Sequence, residues 1–304
     1  HMILNGTDQY PSRKSNEVTL IERHDPVVHG TADDGPLDQE LLDEFDARGF
    51  IQMDDVFSGD EVAAMSRELD VMAARPEVRA DDACIIEPDS DEVRSIFYVS
   101  AFSDLLGKVL RDPRVADVAR QILGSDVYLH QSRINYKPGF VGNAFEWHSD
   151  FETWHVEDGM PRPRAVSASI ALTDNHEQNG PLLIMPGSHW TYVTCVGETP
   201  EDHYLESLKQ QEYGIPDEKT LSILAERHGI ESCKGLAGSV VFFDCNAMHG
   251  SNGNITPYPR SNVFAVFNSV ENTLEDPFGP DMPRPDYIAS RDFTPLSPST
   301  AWTV

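Results

Sequence analysis

Residues 145–155 read FEWHSDFETWH, a short stretch that combines metal-ligating and aromatic side chains. It holds two histidines, one aspartate, two glutamates and two tryptophans. In a β-strand, alternate side chains point to the same face, so His148, Asp150 and Trp154 would share one face. One more histidine beside His148 and Asp150 would complete a 2-His-1-carboxylate set. Such a set holds one side of an iron ion and leaves its other positions open.

Two distant histidines are candidates for the third ligand: His189 in PGSHW and His249 in CNAMHGS. His249 follows SVVFFDC, an apolar run typical of a buried strand, so its ring can reach an interior site. Arg260 lies eleven residues beyond it and leads another apolar run, where a guanidinium could bind the distal carboxylate of a bidentate 2-oxo acid. These two features favour His249. The HxD pair alone would be a weak signal.

The pattern of the whole chain predicts a mainly β protein with flanking α-helices. From residue 126 onward, short β-rich or alternating runs are separated by turn residues, which indicates a double-sheet β-fold. The stretch 200–228 is expected to be helical or loop-like. Before residue 126, helical patterns occupy four segments, namely 37–46, 58–75, 101–110 and 113–124.

The same patterns suggest one large domain behind an arm. Residues 1–36 are polar and without a sustained period, so we expect an extended or loosely ordered N-terminal arm. Residues 37–304 then form a single domain, with a helical buttress over 37–125 and a β core over 126–272.

Composition excludes several classes of function. The formal net charge is −28, which disfavours nucleic-acid binding because that needs a basic face. No apolar run approaches the roughly 20 residues that span a bilayer, and no signal peptide is expected. The four cysteines form no CxxC pair, so free thiols in a reducing cytosol are expected. We therefore predict a cytoplasmic protein that binds neither membrane nor nucleic acid; a homodimer is one possible assembly.

The motifs resemble those of the phytanoyl-CoA hydroxylase-like group of non-haem iron(II), 2-oxoglutarate-dependent dioxygenases. The resemblance covers most of the chain from about residue 36 to about residue 300. Its most specific part is WHSDFETWHVEDGMPRPRA, and it is also carried by QSRINYKPGF, IMPGSHW and FFDCNAMHGSNGNITPYPRSN. It implies a double-stranded β-helix, the cupin-like jelly roll. It also implies ectoine, a small cyclic zwitterion, as substrate and 5-hydroxyectoine as product.

The resemblance also implies ligand sets. Iron(II) would be held by His148, Asp150 and His249, with 2-oxoglutarate and dioxygen as co-substrates and succinate and CO2 as by-products. The distal carboxylate of 2-oxoglutarate would pair with Arg260. Further residues would help to bind the co-substrate: Ser167, Ser251, Asn135 and Trp154.

A second set of side chains is expected to form the substrate pocket. An aromatic face attracts a cationic amidine, and an arginine can hold a carboxylate. Thr153 has the wrong strand parity for this role and would need a local bend. Phe243 and Phe264 could equally be core aromatics, and Arg284 could be a solvated arginine. The residues expected in the pocket are Gln131, Thr153, Trp154, Phe243, Asn262, Phe264 and Arg284.

Two alternatives stay open at this point. One is a dioxygenase of the same group that acts on another small molecule, with the same iron ligands and Arg260 but other pocket residues. The other is a non-catalytic jelly-roll binding module. Glu152 shares the ligand face in the strand interpretation, and its role is left open. His155 is expected to be a packing histidine.

Overall fold

Two antiparallel sheets form the centre of this protein, for which a computed structural model describes residues 8–140, 143–197, 216–279, 282–299 and 302. The strands are β1 Leu20–Glu22, β2 Phe50–Met53, β3 Cys84–Ile86, β4 Val93–Phe97, β5 Val127–Asn135, β6 Phe145–His148, β7 Ala165–Ala171, β8 Leu182–Ile184, β9 Thr191–Val193, β10 Glu231–Ser232, β11 Val240–Asp244, β12 His249–Ser251 and β13 Asn262–Ser269. The major sheet has the order β2-β11-β7-β13-β5-β4-β3, the minor sheet the order β10-β8-β12-β6, and β1 pairs with β9.

Most of the helices precede most of the strands along the chain, as predicted. They are α1 Gln39–Arg48, α2 Gly59–Ala74, α3 Pro76–Arg79, α4 Asp104–Leu110, α5 Pro113–Leu123, α6 Asp150–Thr153 and α7 Glu218–His228. Ser58 and Glu61 form a capping box at the start of α2, which satisfies free backbone groups there. Asp112 caps α5, and Gly124 ends it in the left-handed conformation (φ 61°) that glycine adopts without strain.

The segment 37–125 contains strands as well as helices. It supplies β2 to one edge of the major sheet and the hairpin of β3 and β4 to the other. The hairpin was not expected, because its strands are short and flanked by acidic residues. The helices therefore lie mostly in the buttress and the strands mostly in the β core. Three strands of the major sheet, however, come from the buttress.

The N-terminal arm is packed rather than loose where the structure describes it. Strand β1 pairs with β9, and Tyr10, which is 1% exposed, packs edge-on against Phe151 and Tyr192. Residues 1–7 lie outside the described part. So does the first part of the stretch 200–228, up to residue 215, whereas α7 confirms a helix in its second part.

The last described segment, residues 282–299, has no helix or strand and lies along β5. Backbone hydrogen bonds join Ser290 to His130 and Leu296 to Val127. This contact places Arg284 and Ile288 beside the space between the two sheets. Within the described ranges, no helix is both long and apolar enough to cross a membrane.

Candidate active site

A cavity of about 340 Å³ lies between the two sheets and is lined from both of them. Strands β5, β11 and β13 contribute from the major sheet, and β6, β8 and β12 from the minor sheet. The residues that line the cavity are Phe97, Gln131, Arg133, Asn135, Lys137, Phe145, His148, Asp150, Thr153, Trp154, Ser169, Leu182, Phe243, His249, Gly250, Ser251, Arg260, Asn262, Phe264, Arg284 and Ile288.

A group of three residues in this cavity could hold a metal ion. The ligand atoms of His148, Asp150 and His249 all lie within 4.8 Å of one another. The two histidines face each other across the antiparallel pair of β6 and β12, with ring centroids 4.3 Å apart. Their Nε2 atoms lie 3.2 and 3.4 Å from the two carboxylate oxygens of Asp150. One side of this group opens to the cavity.

The stretch 145–155 is not a continuous strand, so the parity argument for its second half is wrong. Strand β6 ends at His148, Asp150 begins the short helix α6, and a π-helical turn follows over Trp154–Asp158. The helix, rather than strand alternation, brings Asp150 to His148. It also supplies the local bend that Thr153 needed in order to reach the cavity.

Hydrogen bonds from the other ring nitrogens orient the two histidines. Nδ1 of His148 donates to the carbonyl of Glu146 (2.7 Å), and Nδ1 of His249 donates to that of Ala247 (2.9 Å). These bonds fix the tautomer that presents Nε2 lone pairs to the centre of the group, which is the usual support of metal-binding histidines. Burial lowers the pKa of His249 to about 4, although Asp150 opposes this effect. The imidazole is therefore neutral and available as a ligand.

The carboxylate of the group is ionised. Burial acts to raise the pKa of Asp150, but His249 and His148 outweigh it, and the pKa falls to about 2. His189, the competing histidine, lies elsewhere: it is fully buried, and its Nε2 donates to the carbonyl of Asp46. Burial acts to lower the pKa of His148, but its hydrogen bond to Asp150 outweighs burial and raises the pKa, so a metal ion would bind here by displacing the Nε2 proton of this ring. An anionic oxygen between two imidazoles that are free at Nε2 fits the 2-His-1-carboxylate chemistry of iron(II).

Three basic side chains line the cavity without a carboxylate within ion-pairing distance among the described residues: Arg133, Lys137 and Arg260. Burial lowers the pKa of Arg260 to about 10, and the Nε atoms of both arginines are buried without a hydrogen-bond partner. Burial and the neighbouring arginines lower the pKa of Lys137 to about 6. Such a set is costly unless an anion occupies the cavity, because unpaired buried charge is strongly disfavoured.

Sequence reasoning missed Arg133 and Lys137, although a signal for Arg133 was present. On β5, Gln131, Arg133 and Asn135 alternate along the strand, so the parity that selected the two amides also selects Arg133. Lys137 lies just beyond the end of β5, where alternation carries no prediction. Its Nζ is 3.3 Å from Oγ of Ser251 and 4.2 Å from the centre of the Phe145 ring.

Of the predicted site residues, only Ser167 lies outside the lining of the cavity. It is fully buried between Val266 and Phe243 in the sheet register, and its Oγ has no hydrogen-bond partner. Ser169, two residues further along β7 on the same face, lines the cavity instead. Ser167 and Ser169 share one strand face, but only Ser169 lines the cavity, because the packing of aromatic side chains beside each serine cannot be read from parity.

A polar chain crosses one wall of the cavity. Asn135 donates from Nδ2 to Oδ1 of Asn262 (3.0 Å), and Asn262 donates from Nδ2 to Oγ of Ser169 (2.6 Å). Gln131 donates from Nε2 to the carbonyl of Ile288 (3.0 Å), which leaves its Oε1 as an acceptor. The aromatic part of the lining includes Phe243, which lies beside the ligand group, with its ring 4.9 Å from that of His249.

Arg284 is not a solvated arginine. Its Nε and Nη2 donate to the two carboxylate oxygens of Asp158 at 2.7 and 2.6 Å. His130 donates from Nε2 to the same carboxylate (3.1 Å), and its ring lies 5.1 Å from that of Trp154. Burial acts to raise the pKa of Asp158, but Arg284 and His130 outweigh it and lower the pKa. Neither Asp158 nor His130 was a predicted site residue.

Glu152 and His155 both make their contacts away from the metal group. Glu152 does not face the metal group: it is 1% exposed and binds Ser12 and Arg13. His155 packs, as expected. It stacks on Phe278 with ring centroids 4.0 Å apart, and its Nε2 donates to Asp8.

Comparisons with known proteins agree with this geometry. The family model described as Phytanoyl-CoA dioxygenase (PhyH) matches residues 45–262. An ectoine dioxygenase of Sphingopyxis alaskensis is 54% identical over 285 residues, which cover 93% of each chain. An ectoine dioxygenase of Bordetella bronchiseptica is 55% identical over 291 residues, which cover 95% of this chain and 94% of that one.

Solved structures give the same result. The structure of EctD from S. alaskensis with bound Fe matches with a TM-score of 0.87 and 48% identity, and covers 97% of this chain and 98% of that one. The structure of EctD with 2-oxoglutarate and 5-hydroxyectoine matches with a TM-score of 0.86 at the same identity and coverage. The predicted fold class, a mainly β jelly roll with flanking helices, is confirmed. The chain belongs to the phytanoyl-CoA dioxygenase family, and within it to the group of the ectoine dioxygenases.

Proposed function

We propose that this protein hydroxylates ectoine to 5-hydroxyectoine with iron(II), 2-oxoglutarate and dioxygen, and releases succinate and CO2. One observation carries the proposal: an open-sided group of two histidines and an aspartate shares its cavity with cations that have no carboxylate partner among the described residues. Close relatives named ectoine dioxygenase, and a related structure with 2-oxoglutarate and 5-hydroxyectoine, support the choice of substrate.

Iron(II) would be held by His148, Asp150 and His249, whose ligand atoms and tautomers fit such an ion. When bound, the metal supplies the activation of dioxygen that ordinary side chains cannot provide. The chain's own contribution is to fix the ligands before the metal arrives, because the Nδ1 hydrogen bonds hold both rings. Phe243 packs against His249 and shields the group from water on that side.

Arg260 would bind the distal carboxylate of 2-oxoglutarate, with Ser251 and Lys137 beside it. A guanidinium is suited to this role since it can donate two parallel hydrogen bonds to one carboxylate. A dianion also compensates the charge of Arg133, Lys137 and Arg260. Asn135 contributes through its bond to Asn262, which keeps this wall of the cavity polar.

Ectoine would occupy the part of the cavity near Trp154, Phe243 and Phe264, where its amidine can lie against aromatic faces. Arg284 would bind its carboxylate. Gln131 offers an acceptor, and Thr153 offers a hydroxyl. These contacts would hold one ring carbon toward the metal group, which is the positioning that makes hydroxylation selective.

We further place the enzyme in the cytoplasm, where its four buried free thiols would stay reduced. A homodimer stays a prediction. Neither assignment changes the chemistry of the cavity.

The direct test measures succinate release and product mass with purified protein, iron(II), 2-oxoglutarate, oxygen and ectoine. We expect ectoine to gain one oxygen atom, in a reaction that depends on both iron and 2-oxoglutarate. Succinate release that ectoine does not accelerate would keep the dioxygenase chemistry and overturn the substrate. Absence of succinate from iron-loaded protein would favour a non-catalytic binding module.

A further inference from the structure

The basic side chains of the cavity fall into two groups that differ in their partners. Arg133, Lys137 and Arg260 have no carboxylate within ion-pairing distance among the described residues. Arg284 forms a bidentate ion pair with Asp158. The two arginines of the first group carry uncompensated positive charge, whereas Arg284 and Asp158 form a neutral pair. This difference matches the two proposed ligands, since 2-oxoglutarate is a dianion and ectoine is a zwitterion of no net charge.

Asp158 is placed to impose this difference. Its side chain is fully buried, so water does not screen its charge from Arg284. The carboxylate accepts two hydrogen bonds from Arg284 and one from His130, which fixes its orientation. Among the described residues, Nη1 of Arg284 has no acceptor. It is therefore the guanidinium nitrogen available to a ligand in the cavity.

The loop that carries Arg284 is held in place by hydrogen bonds to β5 and to Asp158. His130 and Gln131 are neighbours on β5: the backbone carbonyl of His130 accepts from Ser290, and the side chain of Gln131 donates to Ile288. Arg291 donates to the backbone carbonyl of Asp158. The loop that carries Arg284 is thus bound to Asp158 and β5 at several points, which pre-organises the guanidinium for a ligand.

We propose that Asp158 is a specificity-determining positioning residue, which orients Arg284 toward the carboxylate of a zwitterionic substrate and prevents this part of the cavity from accepting a second dicarboxylate. The proposal rests on the proposed function. Without the negative charge of Asp158, Arg284 would join the other unpaired cations, and the substrate position would attract dianions such as excess 2-oxoglutarate or succinate.

The test compares Asp158→Asn with the wild-type enzyme by steady-state kinetics. We expect the KM for ectoine to rise by about tenfold or more, because an amide cannot accept both hydrogen bonds of the arginine as an anion does. The KM for 2-oxoglutarate at low concentration should change little. High 2-oxoglutarate or added succinate should now inhibit competitively with ectoine, an effect that a merely structural role would not produce.

A double variant separates the effect of losing the charge of Asp158 from the effect of structural disruption. In Asp158→Asn with Arg284→Gln the pair is neutral again, so the new inhibition by dicarboxylates should disappear while the KM for ectoine equals that of Arg284→Gln alone. Asp112→Asn is the matched control, since this buried carboxylate pairs with Arg114 and Trp302, which do not line the cavity. It should lower thermal stability without changing either KM.

Three results would overturn the proposal: an unchanged KM for ectoine in Asp158→Asn, a raised KM without inhibition by dicarboxylates, or inhibition that persists in the double variant. If Asp158→Asn fails to fold, Arg284→Lys gives the second measurement. A lysine can keep the charge pair but not the two-pronged geometry, so the KM for ectoine should rise without the new inhibition. If the wild-type protein does not hydroxylate ectoine, the proposed function fails first, which is a separate result.

Discussion

Arg13 and Glu152, 139 positions apart in the chain, form a two-pronged ion pair, with Nε to Oε1 at 2.8 Å and Nη2 to Oε2 at 2.9 Å. Ser12 donates a third hydrogen bond to the same carboxylate (2.8 Å). Glu152 belongs to the short helix α6, which begins with Asp150. The N-terminal segment therefore holds the helix that supplies one of the proposed iron ligands.

Arg13→Gln should weaken both stability and metal binding. It leaves the carboxylate of Glu152, which is 1% exposed, without its cationic partner. We expect the free energy of unfolding to fall by about 2–4 kcal/mol, since removing one partner of a buried pair leaves an uncompensated charge. The affinity for iron(II) should also decrease, because the helix of Asp150 is less firmly held. Denaturant unfolding and iron(II) titration measure the two effects.

Lys234→Gln is the control for Arg13→Gln. Lys234 pairs with Glu177 at 2.8 Å, but both side chains are about half exposed or more. Its removal should change the free energy of unfolding by less than about 1 kcal/mol. Equal losses in the two variants would show that the N-terminal segment does not support α6.

Three single substitutions test the metal group: His148→Ala, Asp150→Ala and His249→Ala. Each should abolish iron(II) binding and hydroxylation while far-UV circular dichroism stays unchanged, since the three side chains line a cavity rather than fill the core. His189→Gln is the matched control. It can still donate to Asp46, so it should keep iron binding. Loss of iron binding in His189→Gln with retention in His249→Ala would reverse the assignment.

Two of the three residues of the metal group carry a local signal in the sequence, whereas His249 was selected by the apolar run before it and by Arg260 eleven residues beyond it. His148 and Asp150 are only two residues apart. They therefore lie close together in a continuous strand and equally in a strand that ends before a short helix. Further along the same stretch the two conformations diverge. For that reason Glu152, which was expected on the ligand face, instead faces the N-terminal segment.

Features that depend on distant partners could not be predicted in the same way. Asp158 is one of two acidic residues in WHVEDGM. Its role depends on Arg284, 126 positions away, and on His130. Strands β3 and β4 are three and five residues long, too short for a clear alternation. Sequence periodicity identifies which side chains share one face of a helix or strand. Contacts between residues that are distant in the chain decide which of those faces lies against a ligand.

Arg260→Gln should impair the co-substrate specifically. The guanidinium lines the cavity, its pKa is lowered by burial, and no carboxylate of the described residues pairs with it. We expect the KM for 2-oxoglutarate to rise by about 10- to 100-fold, the loss typical of a charge-assisted hydrogen-bond pair. The KM for ectoine should change far less. Steady-state kinetics with each substrate varied measures both effects.

Arg162→Gln is the control for charge removal. Arg162 is about half exposed and pairs with Asp25 away from the cavity. Both kinetic constants should stay close to those of the wild-type enzyme. A similar rise of the KM for 2-oxoglutarate in Arg162→Gln would mean that overall charge, rather than a contact at Arg260, governs co-substrate binding.

Lys137 should couple the binding of 2-oxoglutarate to the uptake of a proton. Burial, reinforced by Arg260, Arg133 and Arg94, lowers the pKa of Lys137 to about 6, so the amine is mostly neutral at neutral pH. A bound dianion favours the ammonium form and raises this pKa toward its ordinary value of about 10.4. Between these two pKa values the complex binds more protons than the free protein. The affinity for 2-oxoglutarate should therefore fall as the pH rises, by up to about tenfold per pH unit.

Calorimetric titration of iron-loaded protein with 2-oxoglutarate, without oxygen, measures this coupling. Near pH 8, about midway between the two pKa values, buffers of different ionisation enthalpy should report uptake of close to one proton. In Lys137→Met the uptake should vanish, and the affinity should become nearly independent of pH across the same window. If the variant takes up as many protons as the wild-type protein, another group titrates on binding, and the amine of Lys137 is already charged in the free enzyme.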